Sequence, residues 1–263
     1  MSLSSLWRRL RSRSRTVRLD TKFGTASIYE TKWGGRPIRI LSIAGTMQSA
    51  TYLDAGWCDL PFPYLQLYDR LFEIRPHAHD VLMLGGGGYA YPKHVIAHHP
   101  EARIDVVEID PSITRIAYER FFLDRLMHKW DTQRSGRLGI YHAHALDYLE
   151  ACRRKGKRYH AILNDCFAAG AADLALAAPD ALATIGACLT TDGLYLVNII
   201  TAIEGDDAAP LQRLVANLSD VFGFICAIPC GREPLDEYDN VIVVASQQPL
   251  SIDGSLVLYE AIG

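Results

Sequence analysis

The apolar run Asp80-Val81-Leu82-Met83-Leu84 leads directly into Gly85-Gly86-Gly87-Gly88 and then into Tyr89-Ala90-Tyr91-Pro92-Lys93. A strand that ends in glycines and restarts as a helix with proline in its first turn lets backbone approach a ligand closely, because a Cβ would block the approach. Gly85, Gly86 and Gly87 are therefore the expected cofactor-binding glycines. About 20 residues further on, Val106-Val107-Glu108-Ile109-Asp110 ends a second apolar strand in a carboxylate, placed to accept both hydroxyls of a ribose. Asp110-Pro111-Ser112 then carries an N-cap and a first-turn proline, which start another helix. Asp165 follows the apolar run His160–Asn164; a carboxylate there can orient and deprotonate an amine. Gly85-x-Gly87-x-x-Ala90 also satisfies the dinucleotide pattern, so a nicotinamide-dependent oxidoreductase is a rival on these residues. A nucleoside-binding scaffold without catalysis is a second.

The glycine loop and Val106–Pro111 together resemble the spermidine synthase-like (polyamine aminopropyltransferase) family, in a divergent branch, within the class I S-adenosylmethionine-dependent methyltransferase superfamily. Upstream, Ile40 to Ser49, with Gly45-Thr46-Met47-Gln48, is similar to the family's N-terminal hairpin segment ending in Gly-x-x-Gln. Downstream, Tyr159 to Cys166 resembles its fourth strand and catalytic loop, so the resemblance covers roughly residues 25 to 245. It implies S-adenosylmethionine or its decarboxylated form as co-substrate, with no metal. Gln48, Gly85, Gly86, Gly87 and Glu108 would hold the donor, with His144 and Ala145 at the adenine. Tyr64 and Tyr89 would contact the substrate, a small-molecule amine, and Asp165 would lie nearest the chemistry, the transfer of an aminopropyl or methyl group.

Three positions depart from the family's pattern. Gly88 stands where aminopropyltransferases carry an acidic residue that pairs with the terminal ammonium of the decarboxylated donor, and its loss removes a penalty against intact S-adenosylmethionine. Ala168 replaces the second aspartate of the catalytic loop. His144 replaces the aspartate that accepts from the adenine amino group, a role a neutral ring nitrogen could take. These departures speak against spermidine synthesis proper.

Such residues need strands and helices that alternate. The runs Asp80–Leu84, Ile104–Glu108, Leu138–His142, His160–Asn164 and Leu194–Ile200 are short strands, separated by helical stretches near 92–98, 112–122, 145–154 and 179–189. That alternation indicates βαβ units and a parallel sheet. After a helix over 210–222, Gly223–Ile228 and Asn240–Ala245 suit a closing antiparallel strand. The expected fold is α/β, a Rossmann-like, seven-stranded, mostly parallel sheet with a small N-terminal β-hairpin unit. The hairpin unit, residues 19–60, is read from alternation around Lys22-Phe23-Gly24, Trp33-Gly34-Gly35 and Ala44-Gly45-Thr46. A single helix is expected over Tyr64–Ile74, and the adenosyl-binding domain over 61–263.

Arg8, Arg9, Arg11, Arg13, Arg15 and Arg18 all precede the first acidic residue, Asp20, in a tail over 1–18 that reads as basic and disordered. Beyond it the body is more acidic than the formal charge of -3 suggests, which argues against nucleic-acid binding. No run approaches the roughly 20 apolar residues that cross a bilayer, and the tail lacks a signal-peptide core. Six scattered cysteines without a CxxC pair fit a reduced, cytoplasmic protein, with a homodimer as the possible assembly. The pairs His77/His79, His98/His99 and His142/His144 lack a completing ligand at recognisable spacing, so no metal is expected. The small-residue stretch Phe167–Asp173 is expected to be a lid.

Overall fold

A computed structural model describes residues 16–168, 171–172, 174–231 and 235–261. Most of the basic tail lies outside the described residues, but Val17 and Arg18, grouped with it in the sequence, begin the first strand. Strands β1 (Val17–Thr21), β2 (Gly24–Trp33), β3 (Arg36–Ile43) and β4 (Thr46–Tyr52) form an antiparallel sheet in chain order. Its three turns fall at the three glycine-containing signals of the sequence.

The second sheet has eight strands. Its parallel half comprises β5 (Asp80–Leu84), β6 (Arg103–Glu108), β7 (Leu138–His142), β8 (Tyr159–Asn164) and β11 (Leu189–Thr201); β12 (Phe224–Pro229), β13 (Asp239–Ser246) and β14 (Leu256–Glu260) complete it. The order is β14-β12-β13-β11-β8-β5-β6-β7, with β13 antiparallel to both β11 and β12. The edge strand β14 raises the expected seven strands to eight; its alternation is short and only half-buried. Two-residue strands β9 (Phe167–Ala168) and β10 (Ala171–Ala172) pair with each other where a lid was expected. Residues 169, 170 and 173 of that stretch lie outside the described residues.

The strand pleat sorts the core. Val81, Met83, Ile104, Val106, Ala161 and Leu163 face one side, while Leu82, Leu84, Val107 and Ile162 face the other. The first side is covered by α3 (Ala90–His98) and by the short helices α1 (Pro63–Tyr68) and α2 (Leu71–Ile74), which replace the single helix expected over 64–74. Helices α4 (Pro111–Arg120), α5 (Leu123–Lys129) and α6 (Thr132–Ser135) precede β7, and the last two were not read from the sequence. The second side is covered by α7 (Ala145–Lys155), α8 (Pro179–Ala187) and α9 (Ala209–Ser219). A third cluster packs Ala26, Ile28, Leu41 and Ile43 of the N-terminal sheet on Ile113, Ile116 and Phe121 of the α4 region. The Lys22 N–H donates to Asp110 Oδ2 at 2.6 Å, holding the β1–β2 turn at the start of α4. The N-terminal sheet is thereby fixed beside the carboxyl ends of β5 and β6. Among the described residues no helix is long and apolar enough to cross a membrane.

Candidate active site

A cavity of about 360 Å³ opens at the carboxyl ends of β5, β6 and β8, where open α/β sheets bind ligands. The N-terminal sheet contributes Phe23, Leu41, Ile43, Ala44, Thr46 and Gln48, and the parallel sheet contributes Gly85, Gly87, Glu108, Ala143, His144, Ala145, Asp165 and Cys166. Seven of the residues expected from the sequence thus meet on one cavity: Gln48, Gly85, Gly87, Glu108, His144, Ala145 and Asp165.

At the glycine loop, Gly85 has φ +91 and lies so near the β8 end that a Cβ would sit 2.7 Å from the Asp165 carbonyl oxygen. The Gly85 N–H donates to Val107 O, and the Asp165 N–H to Leu84 O, both at 2.9 Å. One loop is thus stitched to both neighbouring strands. Gly86 contributes its N–H to Glu108 Oε2 at 2.9 Å, Gly87 donates to the same oxygen at 3.3 Å, and the Asp110 N–H reaches Oε1 at 2.9 Å. Glu108 is only 6% exposed. Burial raises its pKa, against the three backbone N–H bonds, which lower it. Its carboxylate is therefore held at the cavity wall with both oxygens oriented by backbone N–H groups.

Gly88 is not merely lacking a carboxylate. A Cβ there would meet Ser49 Oγ at 2.6 Å and Phe121 Cδ1 at 3.0 Å, so β4 occupies the space an acidic side chain would need.

His144 caps α7, and its Nδ1 accepts the Leu146 N–H at 3.3 Å. In the neutral ring that leaves the proton on Nε2, so His144 offers a donor where an acceptor for the adenine amino group was expected. His142 turns away instead, with Nε2 3.0 Å from Thr114 Oγ1.

Asp165 is half-buried, with its remaining surface on the cavity. Burial pushes its pKa up to about 7, against two hydrogen bonds that lower it: Asn198 Nδ2 donates to Oδ1 at 2.9 Å and Tyr64 Oη–H to Oδ2 at 3.3 Å. Asn240 Nδ2 donates in turn to Asn198 Oδ1 at 2.8 Å. Tyr68 in α1 donates to the Asn164 carbonyl at 2.8 Å, fixing the backbone beside the aspartate. Tyr64 thus reaches the site through Asp165. Tyr89 does not: it is fully buried, its hydroxyl lies 3.0 Å from Thr114 Oγ1, and it starts α3 with φ +56. Its expected role in substrate contact is replaced by packing beneath the loop.

Asn198, Asn240, Tyr68 and Phe23 escaped sequence reading. A polar residue within the apolar run Leu194–Ile200 was the one signal for Asn198, since a buried amide requires a partner.

No protein-family model matches the chain. A polyamine aminopropyltransferase of Vibrio vulnificus is 29% identical over 121 residues, 46% of this chain and 38% of that protein. An eEF1A lysine and N-terminal methyltransferase homolog of Drosophila pseudoobscura pseudoobscura is 27% identical over 157 residues, 56% of this chain and 21% of that protein. The matches therefore span well under two thirds of either curated relative. A solved structure of a probable spermidine synthase from Corynebacterium glutamicum superposes with a TM-score of 0.72 at 20% identity, covering 89% of this chain and 81% of that one. The chain has the fold of the solved spermidine synthase structures.

Proposed function

We propose that this chain is an alkyl transferase that takes an adenosyl sulfonium donor and an amine acceptor. The observation that carries this reading is a single cavity with Glu108 in the donor half and Asp165 in the acceptor half, each oriented by its own hydrogen bonds. The bound donor supplies a carbon made electrophilic by the adjacent sulfonium, which leaves as a neutral thioether. Glu108 accepts the ribose hydroxyls, and Gln48, His144 and Ala145 line the remainder of the adenosyl site. Asp165 accepts a hydrogen bond from the attacking amine and takes the proton that nitrogen loses as the new C–N bond forms. Tyr64 and Asn198 hold the carboxylate in position, so the reaction rests on alignment and deprotonation rather than covalent help.

With Ser49 and Phe121 packed where a side chain at Gly88 would go, the penalty a carboxylate there would place on intact S-adenosylmethionine is absent, which admits methyl transfer. The site lacks the carboxylate that pairs with the donor's ammonium and leaves no room for one at that position. Calorimetric titration with S-adenosylmethionine, decarboxylated S-adenosylmethionine, methylthioadenosine and NAD tests both levels of the reading. Binding of the adenosyl compounds and not NAD is expected, with S-adenosylmethionine bound no worse than its decarboxylated form. NAD binding alone would point to an oxidoreductase, and a strong preference for the decarboxylated donor would return the chain to aminopropyl transfer.

A further inference from the structure

Two histidines five residues apart, His94 within α3 and His99 at its C-terminal cap, converge with the aspartate that closes α1, away from the cavity lining. His99 Nε2 lies 3.0 Å from Asp69 Oδ1 and His94 Nε2 lies 3.4 Å from Asp69 Oδ2, and the three ligand atoms all fall within 4.8 Å of one another. We propose that Asp69, His94 and His99 bind a divalent transition metal of the zinc type, which fastens the helix bearing Tyr64 and Tyr68 to the helix that follows the glycine loop.

The spacings suit a cation about 2.0–2.2 Å from each donor, since ligands around such an ion stand roughly 3–3.5 Å apart. The decisive feature is His94. Its Nδ1 is 3.2 Å from the Cys58 carbonyl oxygen, and a carbonyl only accepts, so Nδ1 carries a proton. In the neutral ring Nε2 is then an unprotonated lone pair aimed at a carboxylate oxygen. Two acceptors then face each other, and the contact calls for a cation between them, either a bound metal or the second proton of an imidazolium; Zn2+ titration separates the two. A histidine donating its other N–H to a backbone carbonyl is also the usual support of a metal ligand, fixing tautomer and ring orientation. His99 is braced differently, by the Phe72 ring stacked on it at 3.7 Å between centroids.

Two imidazoles and one carboxylate select a zinc-like ion over magnesium or calcium, which prefer oxygen alone, and leave a position for water. Asp69 has no Lys or Arg within ion-pairing distance among the described residues. The other such cluster, His79, Asp80 and His160, differs on this point, because the Arg103 guanidinium already neutralises Asp80. Its sequence signal was equally weak: His98 and His99 adjoin in the chain, but the partner of His99 is His94, and Asp69 is distant.

The mechanical consequence follows from position. Asp69 immediately follows Tyr68, and Tyr91 Oη–H points at the same carboxylate from α3 at 3.5 Å. A metal at this point pins the C-terminal end of α1, whose other end presents Tyr64 to Asp165.

Zn2+ titration of the chelator-stripped protein, in competition with a chromophoric chelator, tests the site without requiring any turnover. One saturable equivalent is expected, and Co2+ substituted for Zn2+ should give the visible absorption of a low-coordinate nitrogen and oxygen site. His99→Gln should weaken Zn2+ affinity about tenfold or more, His99→Cys should retain it, and His79→Gln should leave it unchanged. Zn2+ should raise the Tm of the wild type and of His79→Gln but not that of His99→Gln. Absence of saturable binding overturns the proposal, as does binding that survives intact in both His99→Gln and Asp69→Asn.

Discussion

The two halves of the cavity are built by opposite means. In the half proposed to take the donor, Glu108 is held by Gly86, Gly87 and Asp110, groups that belong to two adjacent strand ends and their loops. In the half proposed to take the acceptor, Asp165 is held by Tyr64 from α1 and Asn198 from β11, with Asn240 from β13 behind it. The first is backbone chemistry that survives most side-chain changes nearby; the second is a side-chain network that each member can retune. A scaffold made this way can keep its donor while its acceptor and reaction vary.

The largest expected effect that separates the halves is at Asp165. Asp165→Asn should lower transfer by about 10²-fold or more, the scale of a lost general base, while changing the donor dissociation constant less than about twofold. Turnover with an identified acceptor and calorimetry with S-adenosylmethionine measure the two quantities. Full turnover in the folded variant would leave Asp165 as a loop residue only. The mirror experiment is Glu108→Ala, which should weaken adenosyl binding by about 1.5–3 kcal/mol, the range for hydrogen bonds to a charged group. An unchanged donor affinity would remove Glu108 from the site.

Titration of Asp165 gives an intermediate effect with a defined sign. Its carboxyl is raised to about 7 in the folded chain against about 4 in an unfolded one. Transfer that needs the carboxylate should therefore climb as pH rises through 7. Stability runs the other way: the contribution is fully present below about pH 4 and is lost as pH rises through 7. Wild type should consequently lose stability between pH 4 and 7 relative to Asp165→Asn, followed by denaturant unfolding across that range. Asn198→Ala removes one of the bonds that lower this pKa, so the rising limb of the pH–rate profile should move to higher pH. A limb that stays in place would show that Asn198 does not hold the carboxylate.

The contrast between the halves also explains what the sequence revealed. Glycine spacing, a strand-end glutamate and an Asp-Pro-Ser start to α4 are local signals, and each fell where it was expected. The parallel strands were legible for the same reason, because their apolar runs are short and bounded. Asn198 and Asn240 lie 33 and 75 residues beyond Asp165 and carry no motif, so only the pairing of β11 with β8 and β13 brings them into line. His144 was placed correctly on the cavity, yet its capping bond reversed the hydrogen-bonding role expected of it. Such a reversal depends on one torsion and one backbone N–H, which spacing alone does not encode.

Tyr64 and Tyr89 provide the smallest and sharpest separation, since both are tyrosines beside the site by sequence and only one communicates with it. The Tyr64 hydroxyl bonds the Asp165 carboxylate, whereas the Tyr89 hydroxyl bonds Thr114, which keeps His142 as a second partner. Tyr64→Phe should thus raise the apparent pKa seen in the pH–rate profile and alter the acceptor KM with little change in donor affinity. Tyr89→Phe should leave both kinetic quantities unchanged and cost about 0.5–1.5 kcal/mol of folding stability, the net worth of one buried hydrogen bond. The ring itself must stay, because it packs against Gly86, whose Cβ would lie 2.9 Å from it, and so holds the loop that donates to Glu108. Tyr89→Ala should accordingly weaken donor binding as well as stability, through the loop rather than through substrate contact. A Tyr89→Phe variant with a several-fold higher acceptor KM and undiminished stability would place that hydroxyl in the acceptor half after all.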